Sequence, residues 1–438
     1  MTIGYAGMSH LGIVSAIVTA CKGHDVVGYD AGSGRAASLD QGLLPIVEPG
    51  LREALEECRN RIRFTDGISD LSGCEVIFIS LDVPTDANNR SDTTPVEQMA
   101  LDAAQAASPG STLVVLSQVP PGFTRRFAAG CGGAGGVKGL RVFYQVETLV
   151  FGNAVERALR PERFIVGGGD SACRLPRSYE EWLGGFDAPV FKMSYESAEL
   201  AKISINMFLA SSVTTANTLA EVCEAVGAEW SDIIPTIRAD RRIGQYAYII
   251  PGLGLSGGNL ERDLATIGGL AAEFGTNASI VGAHIDNSRH RRDWVLKTFH
   301  RQVMSQQANP KIAVWGLAYK PNTMSTKNSP ALSLLEALGP FSVRVYDPEA
   351  VLDADCATGV VQKSTALEAC READVLIVMT PWDEFHEVDL VQVRELMTGR
   401  VIIDPAGVLD RDRCVELGFS HATLGSPIKS SSLKNDHT

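Results

Sequence analysis

Short apolar runs alternate with stretches of helical spacing through the first part of the chain. TIGYA, HDVVGYD, EVIFISL, STLVVLS and RFIVGG read as strands, and 11–22 reads as the first helix between two of them. Strands alternating with helices predict βαβ units around a parallel sheet. Near residue 195 the texture changes. From 197 to 227 apolar residues recur at spacings of three and four, which predicts one helix roughly 45 Å long at 1.5 Å rise per residue, suited to bridging two domains. Strand-like runs resume with KIAVWGLAY, VRVYD, ADVLIVMT and VIIDPAG, so a second α/β unit closes the chain as a variation on the first. The last segment, GSPIKSSSLKNDHT, is serine-rich and polar and reads as a disordered tail.

A chain of 438 residues is long for one core and predicts two or three domains of about 100–200 residues each. The expected division is an α/β domain over 1–190, a helical domain over 191–300, a second α/β domain over 301–425 and the tail over 426–438. A hydrophobic share of 45% and a charged share of 21% are globular proportions. The net charge of −13 argues against a nucleic-acid partner, so an anionic ligand needs a local basic pocket. The N-terminus enters a strand at once and no apolar stretch reaches about 18 residues, so neither a secretory leader nor a membrane span is expected. The nine cysteines are scattered without a CxxC pair, which suggests no metal site or disulfide framework and a reducing, cytoplasmic compartment. Cys223 sits on an apolar helical face and reads as a buried structural thiol.

Two glycine-rich turns carry candidate chemistry. TIGYAGMSHLG, followed by an apolar helix and HDVVGYD, has the layout of a dinucleotide fingerprint read as Gly7-x-Ser9-x-x-Gly12, with His10 and Leu11 completing the turn. Its first glycine makes the tight turn, the second position lets backbone approach a pyrophosphate, and the third lets helix pack on strand. Ser9 departs at the second position, so its side chain must point away or donate a hydrogen bond. Asp30, ending the second strand, stands where an acid takes a ribose 2′-hydroxyl and repels a 2′-phosphate, which favours NAD over NADP. The other turn, PGLGLSGGNLERD at 251–263, runs into an apolar helix and offers backbone N–H groups to an anion, but lacks the Gly-Lys-Ser/Thr ending of a nucleotide loop. On its own pattern it reads rather as a mobile surface turn.

At this point the sequence resembles the UDP-glucose/GDP-mannose dehydrogenase family from residue 1 to about 425. LLPIVEPGL is similar to the family's Pro-Ile-x-Glu-Pro-Gly-Leu and SQVPPGFT to its Ser-Thr-Val-Pro-x-Gly-Thr-Thr. AELAKISINMFLA resembles its Ala-Glu-Leu-x-Lys-x-x-x-Asn helix, and GLAYKPNT with NSPAL the start of its third domain. The resemblance implies an N-terminal Rossmann domain binding NAD, a central helical dimerisation domain, a C-terminal Rossmann-like domain that closes over a sugar nucleotide, and a homodimer. It implies oxidation of a UDP-hexose at carbon 6, in which a family cysteine forms a thiohemiacetal and then a thioester.

In the family's Gly-Gly-Ser-Cys-Phe-Pro-Lys-Asp, here SGGNLERD, the cysteine's place falls to Asn259, and a carboxamide offers no thiolate. Gln118 replaces the threonine of Ser-Thr-Val-Pro, VETLVFG keeps the first family acid as Glu147 but has Phe151 at the second, and DPAG at 404–407 replaces Asp-Gly-Arg-Asn. Other positions hold. Lys202 and Asn206, four apart on one helix, can converge on one oxygen, the lysine stabilising a developing oxyanion. Asp263 keeps the acid at the end of the loop. The resemblance further implies that Lys320 reaches the substrate, that Lys327 faces the cofactor, and that Thr148, Leu149, Arg242, Tyr248 and Gly254 join Lys202 in holding the sugar nucleotide. These residues together favour an enzyme that moves one hydride, or oxidises without a covalent intermediate, using Glu147 as base and Asn259 as holder of an aldehyde hydrate. The alternatives are a redox-neutral epimerase with bound NAD and a non-catalytic sugar-nucleotide sensor.

Overall fold

The computed structural model describes residues 1–430 apart from 33, 87–88, 132–138, 257 and 353–358. The chain divides into two compact units, Met1–Ile205 and Asn206–Thr438, a coarser partition than the one expected from sequence. The long helix runs over Tyr195–Val226, as the three-and-four spacing predicts, and the division falls within it.

The first unit is built on an eight-stranded sheet. Its strands are β1 (Thr2–Ala6), β2 (Asp25–Tyr29), β3 (Ile62–Thr65), β4 (Val76–Ile79), β5 (Thr112–Val115), β6 (Arg141–Gln145), β7 (Phe164–Gly168) and β8 (Val190–Ser194), in the order β3-β2-β1-β4-β5-β6-β7-β8. All neighbours are parallel except β6 and β7. The central strands β4 and β5 are buried along their whole length, as in a parallel sheet covered by helices on both faces. Between β1 and β4 the connectivity reverses direction, and at such a switch point the carboxyl ends of the strands open a crevice.

The second unit holds the helices after residue 206 and a six-stranded parallel sheet. Its strands are β9 (Lys311–Trp315), β10 (Ser342–Tyr346), β11 (Val360–Gln362), β12 (Val375–Val378), β13 (Val401–Ile403) and β14 (Ser420–Ala422), ordered β11-β10-β9-β12-β13-β14. The two sheets repeat one device. Gly7 follows β1 at φ +99° and Gly316 follows β9 at φ +94°. An aspartate follows the next strand in each case and reaches back to this turn. Asp30 accepts from Met8 N at 2.9 Å and from Gly32 N at 2.9 Å. Asp347 is far more heavily bonded. Its Oδ2 accepts from Leu317 N, Ala318 N and Trp382 Nε1 at 2.6, 3.0 and 3.2 Å, and its Oδ1 from Glu349 N and Ala350 N at 2.9 and 2.7 Å.

The start of the polar tail departs from expectation. Ser426 is buried, and Lys429 exchanges backbone hydrogen bonds with His421. Backbone pairing to β14 therefore orders residues whose composition alone suggests disorder, while 431–438 lie outside the described residues.

Candidate functional site

In the first unit the glycine turn joins β1 to helix α1 (His10–Cys21). A Cβ on Gly12 would stand 1.9 Å from Gly7 O, so only glycine lets α1 pack this closely on the turn. Ser9 occupies the N-cap position, yet its hydroxyl does not cap its own helix. It donates to Ser80 O at 2.9 Å and accepts from Asp82 N at 3.0 Å, tying the turn to the end of β4. The serine at the second fingerprint position is thereby turned aside and spares the first-turn N–H groups that an anion takes at such a terminus. Leu11 is buried behind the turn, and Arg35 Nη1 donates to Met8 O at 3.1 Å. Gly7, Ser9, His10, Leu11, Gly12 and Asp30 thus lie together on one turn between β1, β2 and α1.

Beyond this turn lies an ion pair absent from the sequence pattern. Lys202 Nζ stands 2.8 Å from Glu147 Oε1 and donates to Glu147 O at 3.2 Å, both side chains nearly withdrawn from water. Glu147 Oε2 accepts from Leu149 N at 2.9 Å, and Thr148 O accepts from Arg157 Nε at 3.0 Å, which fixes the loop carrying the acid. Gln118 is buried on a neighbouring loop. Glu199, on the long helix one turn before Lys202, accepts from Gly122 N and Thr124 N at 2.5 and 2.8 Å and orders that loop.

Three further residues enter the site that sequence reasoning did not single out for a role there. Glu48, from the LLPIVEPGL segment, has a fully buried side chain and bonds His10 Nε2 at 2.7 Å, Gly152 N at 2.8 Å and Ala154 N at 3.1 Å. Phe151 lays its ring against that of His10, with centroids 4.0 Å apart. Asp82, exposed in the loop after β4, lies near Glu147 and His10, and its backbone N–H donates to Ser9 Oγ. The one sequence signal for Asp82 is an acid three residues after a wholly apolar strand.

In the second unit Asn206 Nδ2 donates to Asp263 Oδ2 at 2.6 Å, and Arg262 Nε lies 3.4 Å from Asp263 Oδ1, all three residues buried. Asn259 is the first residue of the helix Asn259–Phe274 and is exposed. Lys327 lies over the start of this helix, its Nζ 3.2 Å from where a Cβ on Gly258 would stand. Glu261, in the first turn of this helix, accepts from Asn328 Nδ2 at 2.6 Å and Arg292 Nη2 at 3.1 Å, holding the 328 segment to the helix start. A cavity of about 530 Å³ is lined by Tyr248, Gly254, Ser256, Lys320, Pro405 and Ala406 among others. Lys320 Nζ sits 5.5 Å above the Tyr319 ring. Arg242 is not part of this lining. It is exposed and clamped by Asp240, with Nη2 to Oδ2 at 2.6 Å and Nε to Oδ1 at 3.0 Å.

Comparison with known proteins is decisive at the level of family. The UDP-glucose/GDP-mannose dehydrogenase NAD binding domain matches residues 1–183, the central domain 196–288 and the UDP binding domain 313–411. The Bacillus subtilis protein YtcA is 30% identical over 98% of this chain and 100% of its own length. The chain belongs to the UDP-glucose/GDP-mannose dehydrogenase family. It is also 29% identical to the UDP-glucose 6-dehydrogenase TuaD of Bacillus subtilis, over 97% of this chain and 93% of that protein. Among solved structures, a UDP-glucose dehydrogenase from Pyrobaculum islandicum superposes with a TM-score of 0.81 at 26% identity, covering 93% of this chain and 96% of that one. This family member uses NAD, and the cradle around Gly7, Gly12 and Asp30 would hold it. Bound there, NAD supplies the hydride-accepting ring. Among the described residues, no helix is long and apolar enough to cross a membrane.

Proposed function

We propose that this member of the family oxidises a UDP-linked hexose at carbon 6 with NAD, by a single hydride transfer or a non-covalent oxidation. The observation that carries this reading is the buried Lys202–Glu147 pair. A protein that only binds has little use for an ammonium and a carboxylate held out of water beside a dinucleotide turn, because desolvating both is costly. Lys202 stabilises the developing alkoxide, and Glu147 orients Lys202 and receives or orders water. Within the second unit, Asn206 is held by Asp263 through its amide. The sugar nucleotide lies along the cavity of Tyr248, Gly254 and Lys320, where Pro405 and Ala406 make the wall apolar in place of a charged contact.

Asn259 in the nucleophile's place limits the chemistry. A carboxamide donates to a hydrate oxygen and accepts from a hydroxyl, but forms no acyl link. Its exposure and the exchanged contacts at Gln118, Phe151 and Pro405 favour a second reading, a sugar-nucleotide sensor that kept the fold. Incubation with NAD and a panel of sugar nucleotides, followed by mass spectrometry, separates the two. Reduced cofactor with an aldehyde, hydrate or acid product supports the enzyme, and binding without turnover supports the sensor.

The assembly follows from the long helix. Leu200, Phe208, Leu219, Val222 and Val226 are exposed on it, Phe208 to 78%. An apolar surface of this kind is usual for a subunit interface, and a homodimer is the assembly we assign. Light scattering at micromolar concentration tests it, a monomer being the contrary result.

A further inference from the structure

His10 sits within a fingerprint turn that ordinarily contributes backbone, yet its side chain is built into a buried dyad. Glu48 accepts from two backbone N–H groups, Gly152 and Ala154, and as a carboxylate it can only accept from the imidazole, so Nε2 of His10 at 2.7 Å is the donor. In the neutral imidazole that donor places the lone pair on Nδ1. Phe151 covers one face of the ring. A histidine whose tautomer is fixed by a buried carboxylate, with one nitrogen ready to accept, is the arrangement that takes a proton from a hydroxyl.

Position adds to this. Phe151, which removes a carboxylate from the loop of Glu147, is the residue that packs on His10. The groups facing His10 are Glu48 from the loop before the helix Leu51–Glu57, Asp82 from the end of β4, and next to Asp82 the Glu147–Lys202 pair. Two of the acids are engaged, Glu48 by the dyad and Glu147 by Lys202, which leaves the imidazole as the candidate base beside them. Resting on the proposed oxidation, we infer that the His10–Glu48 dyad is its acid–base group. Nδ1 accepts the substrate hydroxyl proton as the carbon–hydrogen bonding pair leaves as hydride to the cofactor. The O–H and C–H bonds break, a C=O bond forms, and the proton passes from the imidazolium to water.

The test has a structural arm and a kinetic arm. In ¹⁵N spectra of histidine-labelled full-length protein, the His10 signal should show Nε2 protonated and Nδ1 titrating. Glu48→Gln, which keeps an acceptor but removes the charge, should move that titration to lower pH. His10→Gln should lower kcat by roughly 10²–10⁴-fold and abolish the acidic limb of the pH profile. An Nδ1–H tautomer, or an unmoved titration in Glu48→Gln, overturns the dyad whatever the substrate proves to be. A His10→Gln enzyme that keeps its acidic limb and kcat but loses NAD affinity reveals a strut and overturns the inference while the proposed oxidation stands. A parent protein that turns over no sugar nucleotide overturns both.

Discussion

Lys202 and Glu147 meet at 2.8 Å with 11% and 12% of their side chains exposed, joining the long helix to the loop after β6. Removing either partner leaves the other as a buried, uncompensated charge, so the pair couples catalysis to the integrity of the loop. Lys202→Ala is expected to lower kcat on the order of 10²–10³-fold, the usual loss of one preorganised oxyanion donor. Full activity in steady-state assays of this variant would remove the lysine from the mechanism.

Gly12→Ala is expected to abolish NAD binding and to cost at least the roughly 1–3 kcal/mol of an overpacked core. A Cβ at 1.9 Å from Gly7 O cannot be accommodated without moving either α1 or the turn. Thermal unfolding and calorimetric titration with NAD measure the two losses separately, and native affinity would show that the cradle is looser than its geometry.

Asn259→Ala should slow turnover by less than about tenfold, the scale of one hydrogen bond. Intact-mass analysis after acid quench should find no covalent sugar on the native protein. A thioester or other adduct would mean that a different residue serves as nucleophile.

Acid stability should depend on Glu196. Arg125 donates to it from Nη2 at 2.8 Å and lowers its carboxyl from 4.5 to about 2. A carboxyl held low in the folded state adds stability above its unfolded value and loses it as pH falls. Glu196→Gln should therefore flatten the fall of Tm between pH 4.5 and about 2, by a small amount because the pair faces solvent. An unchanged Tm profile would assign the pair no energetic role.

NAD should bind far better than NADP. Asp30 is pinned at the end of β2 by Met8 N and Gly32 N and cannot swing away from a 2′-phosphate without breaking both bonds. Equal affinities by calorimetry would separate the fingerprint from cofactor choice.

What was legible in the sequence is what local periodicity and spacing control. The strands around TIGYA and KIAVWGLAY, the long helix and the Gly7–Gly12 turn announce themselves because each is decided by neighbours in the chain. Ser9 shows the limit, since sequence leaves its side chain two options and only Ser80, across the crevice on the next strand, selects one. The His10–Glu48 bond, the stacking of Phe151 and the loop-ordering bonds of Glu199 link residues distant in sequence, and no periodic pattern encodes them. Arg242 was placed by resemblance alone, and its clamp to Asp240 two residues away is a purely local preference.

The five donors converging on Asp347 bear on stoichiometry. The C-terminal sheet copies the turn and the aspartate of the first, but its carboxylate is saturated by its own chain, with no acceptor left for a ribose. One copy of the device is open to a guest and the other is sealed as internal scaffolding. Titration with NAD should consequently saturate at a single equivalent per chain, however alike the two sheets look.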